Sequence, residues 1–217
     1  MKSILVLSGD AAFADPWHDM ASTSHEVASI LAAPDVATTV RSTSHVELAE
    51  IAETDLVVVN TSLARFNEPA GGDSDLLIDA VVARAKAVRP VLALHQTLIT
   101  ASGYPELAAA IGAHWVDGVS NHPDLGQMTL TLDGENPALE GLGDVSAFDE
   151  RYRDLALQPG LEVLGTVSVD GSTYPACWFI LGAPVAFSAL GHDHRSYASN
   201  THQMLLKRLA TRLLSLA

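Results

Sequence analysis

The chain has 217 residues, 48% hydrophobic and 18% charged, the balance of a folded domain rather than a disordered or fibrous one. Its 12 Lys and Arg stand against 26 Asp and Glu, a net charge of −14, which excludes an electrostatic grip on nucleic acid or an anionic membrane surface. The single cysteine, Cys177, makes neither an internal disulfide nor a cysteine-based zinc site.

The apolar run Ile4 to Leu7 is too short for the core of a signal peptide. No stretch approaches the about 18 apolar residues of a membrane span, so a cytoplasmic chain is expected. Ser3 to Ser8 reads as a strand buried on both faces and ends in Gly9-Asp10. Residues 19–32 carry Met20, Val27, Ile30 and Leu31 at helical spacing, and Pro34 stops that helix. Val36 to Val40 reads as a second strand, Val46 to Ile51 as a short helix, and Asp55 to Asn60 as the clearest strand. A polar, Gly-rich loop from Asn67 to Ser74 leads to a helix over Asp75 to Val88, and Pro90 to Leu94 forms a fourth strand that runs into His95. Repeated strand–helix–strand units predict a parallel, doubly wound sheet, because each parallel crossover needs a covering helix.

The second half reads differently. Gln127 to Leu132 alternates apolar and polar residues, as a half-buried strand does. Leu161 to Val169, Tyr174 to Leu181 and Pro184 to Leu190 read as further strands joined by tight turns at Asp170-Gly171-Ser172 and Gly182-Ala183. A last helix over Asn200 to Leu216 carries Met204, Leu205, Leu209, Leu213 and Leu214 on one face. Residues 1–217 are therefore expected to form one α/β domain whose later strands are partly antiparallel.

Ligands of open parallel sheets sit beyond the carboxyl ends of the strands. The groups expected there are His18 with Trp17, Asn60-Thr61-Ser62, His95-Gln96-Thr97 and Gly191-His192. His95 precedes a short helix, whose N-terminus would disfavour imidazolium and keep the ring neutral; the plainer reading is a core histidine bonded to a carbonyl. Gly191 lets the backbone take unusual angles and favours His192 as the inward member, with His194 solvated. His122 before Pro123 is pushed towards extended geometry and can project. Asp149, Glu150 and Tyr152 gather two carboxylates and a phenol around a turn: either Asp149 caps a helix start with Glu150 solvated, or a carboxylate orients a histidine or grips hydroxyls. Trp178, mid-strand, is either core or a stacking platform, while His25, His45, His114 and His202 read as structural or solvent-facing. No spacing-defined metal-ligand set occurs, so no metal or other cofactor is expected, although scattered histidines could hold a divalent ion such as zinc.

Taken together, His95 at a strand end, Trp115, His122-Pro123, Asp149-Glu150-Arg151-Tyr152, Pro175 to Trp178 and Gly191-His192 before Tyr197 resemble the ThuA-like (trehalose-utilisation) family, over roughly residues 3 to 214. The resemblance implies a class I glutamine amidotransferase-like fold: a flavodoxin-like three-layer sandwich with a mostly parallel central sheet and extra antiparallel C-terminal strands. The amidotransferase nucleophile is missing, since Ala93-Leu94-His95-Gln96-Thr97 stands where Gly-x-Cys-x-Gly would, and neither Ser62 nor Thr97 sits in a Gly-x-Ser-x-Gly setting. Two stretches depart from the family pattern, Gly118 to Asn121 and the Asp193-His194-Arg195 insertion. The resemblance implies a carbohydrate-processing enzyme acting on a disaccharide or keto-glycoside. His95 and His192 would form an acid/base pair, His122 and Glu150 would orient or polarise, and Trp17, His18, Asp149, Tyr152 and Trp178 would contact the sugar. A non-catalytic sugar- or metabolite-binding module and a metal-dependent hydrolase fit the same residues. The expected partner is a small carbohydrate, with no nucleic acid or membrane, and a homodimer is compatible with such a domain.

Overall fold

The computed structural model describes residues 1–10, 13–63 and 74–217; of the Gly-rich loop, residues 67–73 lie outside them. The first half runs β1 (Lys2–Ser8), α1 (Met20–Leu31), β2 (Val36–Ser42), α2 (Leu48–Glu53), β3 (Leu56–Asn60), α3 (Ser74–Lys86) and β4 (Val91–Leu94). Two short helices, α4 (Thr97–Ala101) and α5 (Pro105–Ile111), lead to β5 (Ala113–His114), β6 (Gly126–Leu132), β7 (Val145–Asp149) and β8 (Ala156–Leu157). The chain closes with β9 (Leu161–Val169), β10 (Ser172–Ile180), β11 (Val185–Ser188), α6 (His194–Tyr197) and α7 (Asn200–Leu214).

Nine strands form one sheet in the order β2-β1-β3-β4-β11-β10-β9-β6-β7. The first five are parallel neighbours and the last four pair antiparallel. β1, β3, β4 and β11 carry continuous apolar runs because both sheet faces are covered, and Ile4 to Leu7, Leu56 to Val59 and Val91 to Leu94 are all buried. Helix α1 packs with α7, and α3 packs with α2 and α5, on opposite faces. This is the three-layer, flavodoxin-like sandwich with its antiparallel extension. No helix among the described residues is long and apolar enough to cross a membrane.

Local chemistry sets the boundaries. The expected helix over 46–51 forms two residues later, because Glu47 and Glu50 make a capping box. Strand β7, absent from the sequence pattern, buries Val145, Ala147 and Asp149 in alternation, and its charged inward end hid the period. The β9–β10 hairpin turns on Asp170 (φ 50°) and Gly171 (φ 80°), the positive angles that an Asp-Gly pair supplies. Pro175, which has no N–H to give, sits beside a register shift in β10.

Arg84 on α3 is 3% exposed and ties the crossover to the sheet. Its guanidinium donates to the carbonyls of Pro90 (2.9 Å), Ile51 (2.6 Å), Thr54 (2.6 Å) and Asp55 (2.8 Å), and burial lowers its pKa to about 10. Nothing in the sequence pattern marked it.

Candidate functional site

The site forms where the carboxyl ends of β4 and β11 meet the loop before α1 and the end of β7. At the end of β4 the backbone turns sharply: His95 adopts φ 38°, and its N–H donates to the Ser188 carbonyl at 2.8 Å. The imidazole is fully buried, and its Nδ1 donates to the Ala189 carbonyl at 2.6 Å. Nε2 therefore faces inward.

His18 arrives from the other side. Asp15, followed by Pro16, closes a turn in which its Oδ1 accepts from the backbone N–H of Trp17 (2.8 Å) and His18 (3.0 Å). Both Asp15 oxygens also lie 2.8 Å from His18 Nδ1, which leaves Nε2 pointing inward, 3.1 Å from His95 Nε2.

His192 is placed by the turn after β11. Gly191 has φ 132°, and a Cβ there would stand 2.4 Å from the Tyr197 hydroxyl. The buried Asp149 carboxylate holds this turn, accepting from Gly191 N–H (2.8 Å), His192 N–H (3.3 Å), Glu150 N–H (2.8 Å) and the Ser196 hydroxyl. Glu150, the next residue, reaches into the centre. Its Oε2 is 3.4 Å from His95 Nε2, and its Oε1 is 3.4 Å from His192 Nδ1 and 3.5 Å from His122 Nε2. Tyr152 backs the cluster, its ring stacked on His95 and its hydroxyl 2.9 Å from His95 Nε2. The donor atoms of His18, His95, Glu150 and His192 all lie within 4.8 Å of one another, which makes these four a set able to hold a metal ion.

Electrostatics divide the members. Burial, with the neighbouring His95 and His192, lowers the His18 pKa despite its bond to Asp15. For His95 burial also opposes charge, but the contact with Glu150 and the nearby Asp149 carboxylate outweigh it and raise the pKa. The expectation that a helix N-terminus keeps His95 neutral is thus corrected: α4 has only five residues, too short for a strong dipole, and the Glu150 carboxylate contacts the ring with the Asp149 charge nearby. Burial would raise Glu150, yet His192 and His95 hold its carboxyl far below the usual range. Tyr152, buried beside these carboxylates, stays a phenol well above its ordinary pKa.

Against this geometry, solved structures give a consistent comparison. A protein described as ThuA-like from Bacteroides uniformis superposes with a TM-score of 0.76 at 13% identity, covering 98% of this chain and 91% of that one. A second ThuA-like protein, from Parabacteroides merdae, gives 0.70 at 16% identity, with 99% and 90% covered. The fold is that of the ThuA-like proteins. A Thermoplasma acidophilum protein described as part of a GMP synthase shares it more distantly, with a TM-score of 0.60 at 12% identity over 100% of this chain and 94% of that one. No family model and no curated protein matches the sequence.

On this ThuA-like fold, His18, His95, His122, His192, Glu150 and Tyr152 come together, while three expected contacts take other places. Trp178 is 0% exposed, stacks on Phe187 and donates its indole N–H to the Ile111 carbonyl at 2.8 Å, so it is core and not a sugar wall. Asp149 has both oxygens engaged by the His192 turn and braces that turn instead of touching a ligand. Tyr152, 2% exposed behind His95, acts on that ring and not on a sugar. Trp17 is 64% exposed, beside His18 but outside the cluster. Cys177 is buried and its thiol is pushed up to about 12, as a core residue on β10. The hydroxyls of Ser62 and Thr97 donate to the carbonyls of Phe13 (3.1 Å) and Leu94 (2.9 Å). His202 is buried on α7 with its Nδ1 on Ser196, and His25, His45 and His194 are exposed. Sequence reasoning missed Asp15; the signal available was the Asp-Pro pair three residues before His18, which favours a turn.

Proposed function

We propose that the chain is a member of the ThuA-like family and an enzyme that processes a small carbohydrate, a keto-glycoside, by proton transfer beside the sugar carbonyl. One observation supports it above the others: three imidazoles and a carboxylate converge within 4.8 Å at the carboxyl edge of a parallel sheet, where such folds place their ligands. A proton on the carbon next to a carbonyl is acidic, and its removal needs an electrophile at the carbonyl oxygen and a base at the carbon. The buried His18, His95 and His192 form the electrophilic half. His122, 35% exposed, forms the basic half: its Nδ1 donates to the Pro123 carbonyl at 3.0 Å, which leaves Nε2 to take the proton, and Glu150, 3.5 Å from Nε2, stabilises the imidazolium that forms. Abstraction gives an enolate, which is reprotonated or expels a group one carbon further on. No cysteine takes part, so the chain is not a glutamine amidotransferase.

The test is turnover of 3-keto-disaccharides by purified protein, with His95→Ala and His122→Ala each expected to lower kcat by about 10²- to 10⁴-fold at an unchanged circular dichroism spectrum. Binding of the sugar without turnover would instead support a non-catalytic module. Full activity in both variants would remove the assignment.

A further inference from the structure

We propose that His18, His95, His192 and Glu150 bind one divalent transition-metal ion of the zinc class. The inference deepens the reading above: with four protein ligands, the ion would act as the electrophile by taking the keto oxygen as a fifth ligand, and that chemistry rests on the reading above although the ion's binding does not.

Three independent observations carry it. The first is spacing. Zinc held by nitrogen and oxygen at about 2.0–2.2 Å in a tetrahedral site has ligand atoms about 3.3–3.5 Å apart. The His18–His95 nitrogens are 3.1 Å apart, and the His95–Glu150 and His192–Glu150 pairs are each 3.4 Å apart. The remaining edges close by small side-chain rotations from a spread of at most 4.8 Å.

The second is orientation. Asp15 occupies His18 Nδ1 and the Ala189 carbonyl occupies His95 Nδ1, so both rings present Nε2 inward, the arrangement by which carboxylate and carbonyl partners fix a ligating histidine. His192 Nδ1 is buried without a hydrogen-bond partner of good geometry, although it faces Glu150. A buried imidazole nitrogen without a hydrogen-bond partner and aimed at a carboxylate is placed as a metal ligand would be.

The third is charge. The Asp15, Asp149 and Glu150 carboxylates are buried around this point, their side chains or residues at 8%, 0% and 10% exposure. Among the described residues no Lys or Arg pairs with any of them; the partners of Asp15 and Glu150 are imidazoles. Buried anions whose charged partners are imidazoles alone need protons on those rings or a metal between them, and a dication held by the imidazoles neutralises them. Three nitrogens and one carboxylate oxygen suit zinc or a neighbouring first-row ion, not magnesium or calcium, which take oxygen shells.

The experiment uses untagged full-length protein, stripped with a chelator and titrated with zinc sulfate by calorimetry, with the cobalt(II) visible spectrum as a second readout. The expected result is one ion per chain, a dissociation constant below about 1 µM, and cobalt bands of low-symmetry coordination. His18→Ala and His192→Ala should each weaken binding at least about 100-fold, and Asp15→Asn, which keeps the shape of the site, about 10- to 100-fold. His25→Ala, on an exposed part of α1, should bind as the wild type does. No stoichiometric binding by the folded wild-type protein, or unchanged affinity in the folded His192→Ala and Asp15→Asn variants, overturns the proposal. Full turnover by metal-free protein overturns the ion's role as electrophile and leaves the proposed function standing; metal binding with no turnover removes only that function.

Discussion

Asp149→Asn tests how the turn carrying His192 is held. In the wild-type chain this carboxylate, at 0% exposure, accepts three backbone N–H groups, from Glu150, Gly191 and His192, and the Ser196 hydroxyl. Glu150 and His192 share one oxygen, while Gly191 and Ser196 share the other. An amide offers one oxygen, so in either orientation its NH₂ meets at least one backbone donor. The less costly orientation turns NH₂ towards Gly191, and the Ser196 hydroxyl rotates to accept. What is lost is one charge-assisted hydrogen bond, about 1.5–3 kcal/mol, and one buried N–H goes unpaired, at about 1–3 kcal/mol. The expected destabilisation is therefore about 3–5 kcal/mol, or roughly 10 °C in Tm for a chain of this length. Urea unfolding followed by circular dichroism measures it, with the midpoint falling and the slope unchanged. A loss below about 1 kcal/mol would refute the bracing role, because one unpaired buried donor already costs that much.

Arg84→Met fills a similar volume but removes the guanidinium from the buried Ile51 carbonyl and the half-buried Asp55 carbonyl, while the Pro90 and Thr54 carbonyls keep bonds from Val57 N–H and Arg89, so a loss of about 2 kcal/mol or more is expected in the same unfolding assay, and a loss near zero would contradict it. Cys177, buried with its thiol pushed up to about 12, should resist Ellman's reagent in the native protein and react fully in denaturant; stoichiometric native labelling would place it elsewhere. Gly191→Ala puts a Cβ 2.4 Å from the Tyr197 hydroxyl at φ 132° and should cost about 1–3 kcal/mol, whereas a neutral effect would mean the turn is relaxed. Hydrogen bonds from the Ser3 backbone N–H and hydroxyl lower the Asp55 pKa below its ordinary 3.8, with burial opposing them. Its folded pKa is depressed, so its stabilisation is present above pH 3.8 and lost as pH falls through the lower folded value. The stability gap between wild type and Asp55→Asn should accordingly shrink below that pH, and a gap constant down to pH 2 would contradict it.

The parallel half of the fold was legible because β1, β3 and β4 are doubly covered, so burial writes itself as unbroken apolar runs such as Leu56 to Val59. Strand β7 was not legible: five residues ending in a buried aspartate break the period that identifies a half-buried strand. The strand-end rule located His95 and His192, and proline located His122. Glu150 was visible as one of two adjacent carboxylates, but its place among the histidines was not, since that depends on β7 lying at the far edge of the sheet, a pairing no local pattern encodes. Trp178 illustrates the converse. An aromatic in mid-strand reads alike as core or platform, and only packing against Phe187 and Ile111 decides it. The bracing role of Asp149 and the whole role of Arg84 were hidden for one cause: both are charged residues whose partners are mainly backbone groups far away in sequence.

The most direct test of the site is a crystal structure of the protein soaked with a 3-keto-disaccharide it turns over. The expected result is the keto oxygen directed at the His18, His95 and His192 cluster, with the neighbouring carbon facing His122. Sugar density elsewhere on the surface, with the cluster untouched, would contradict it.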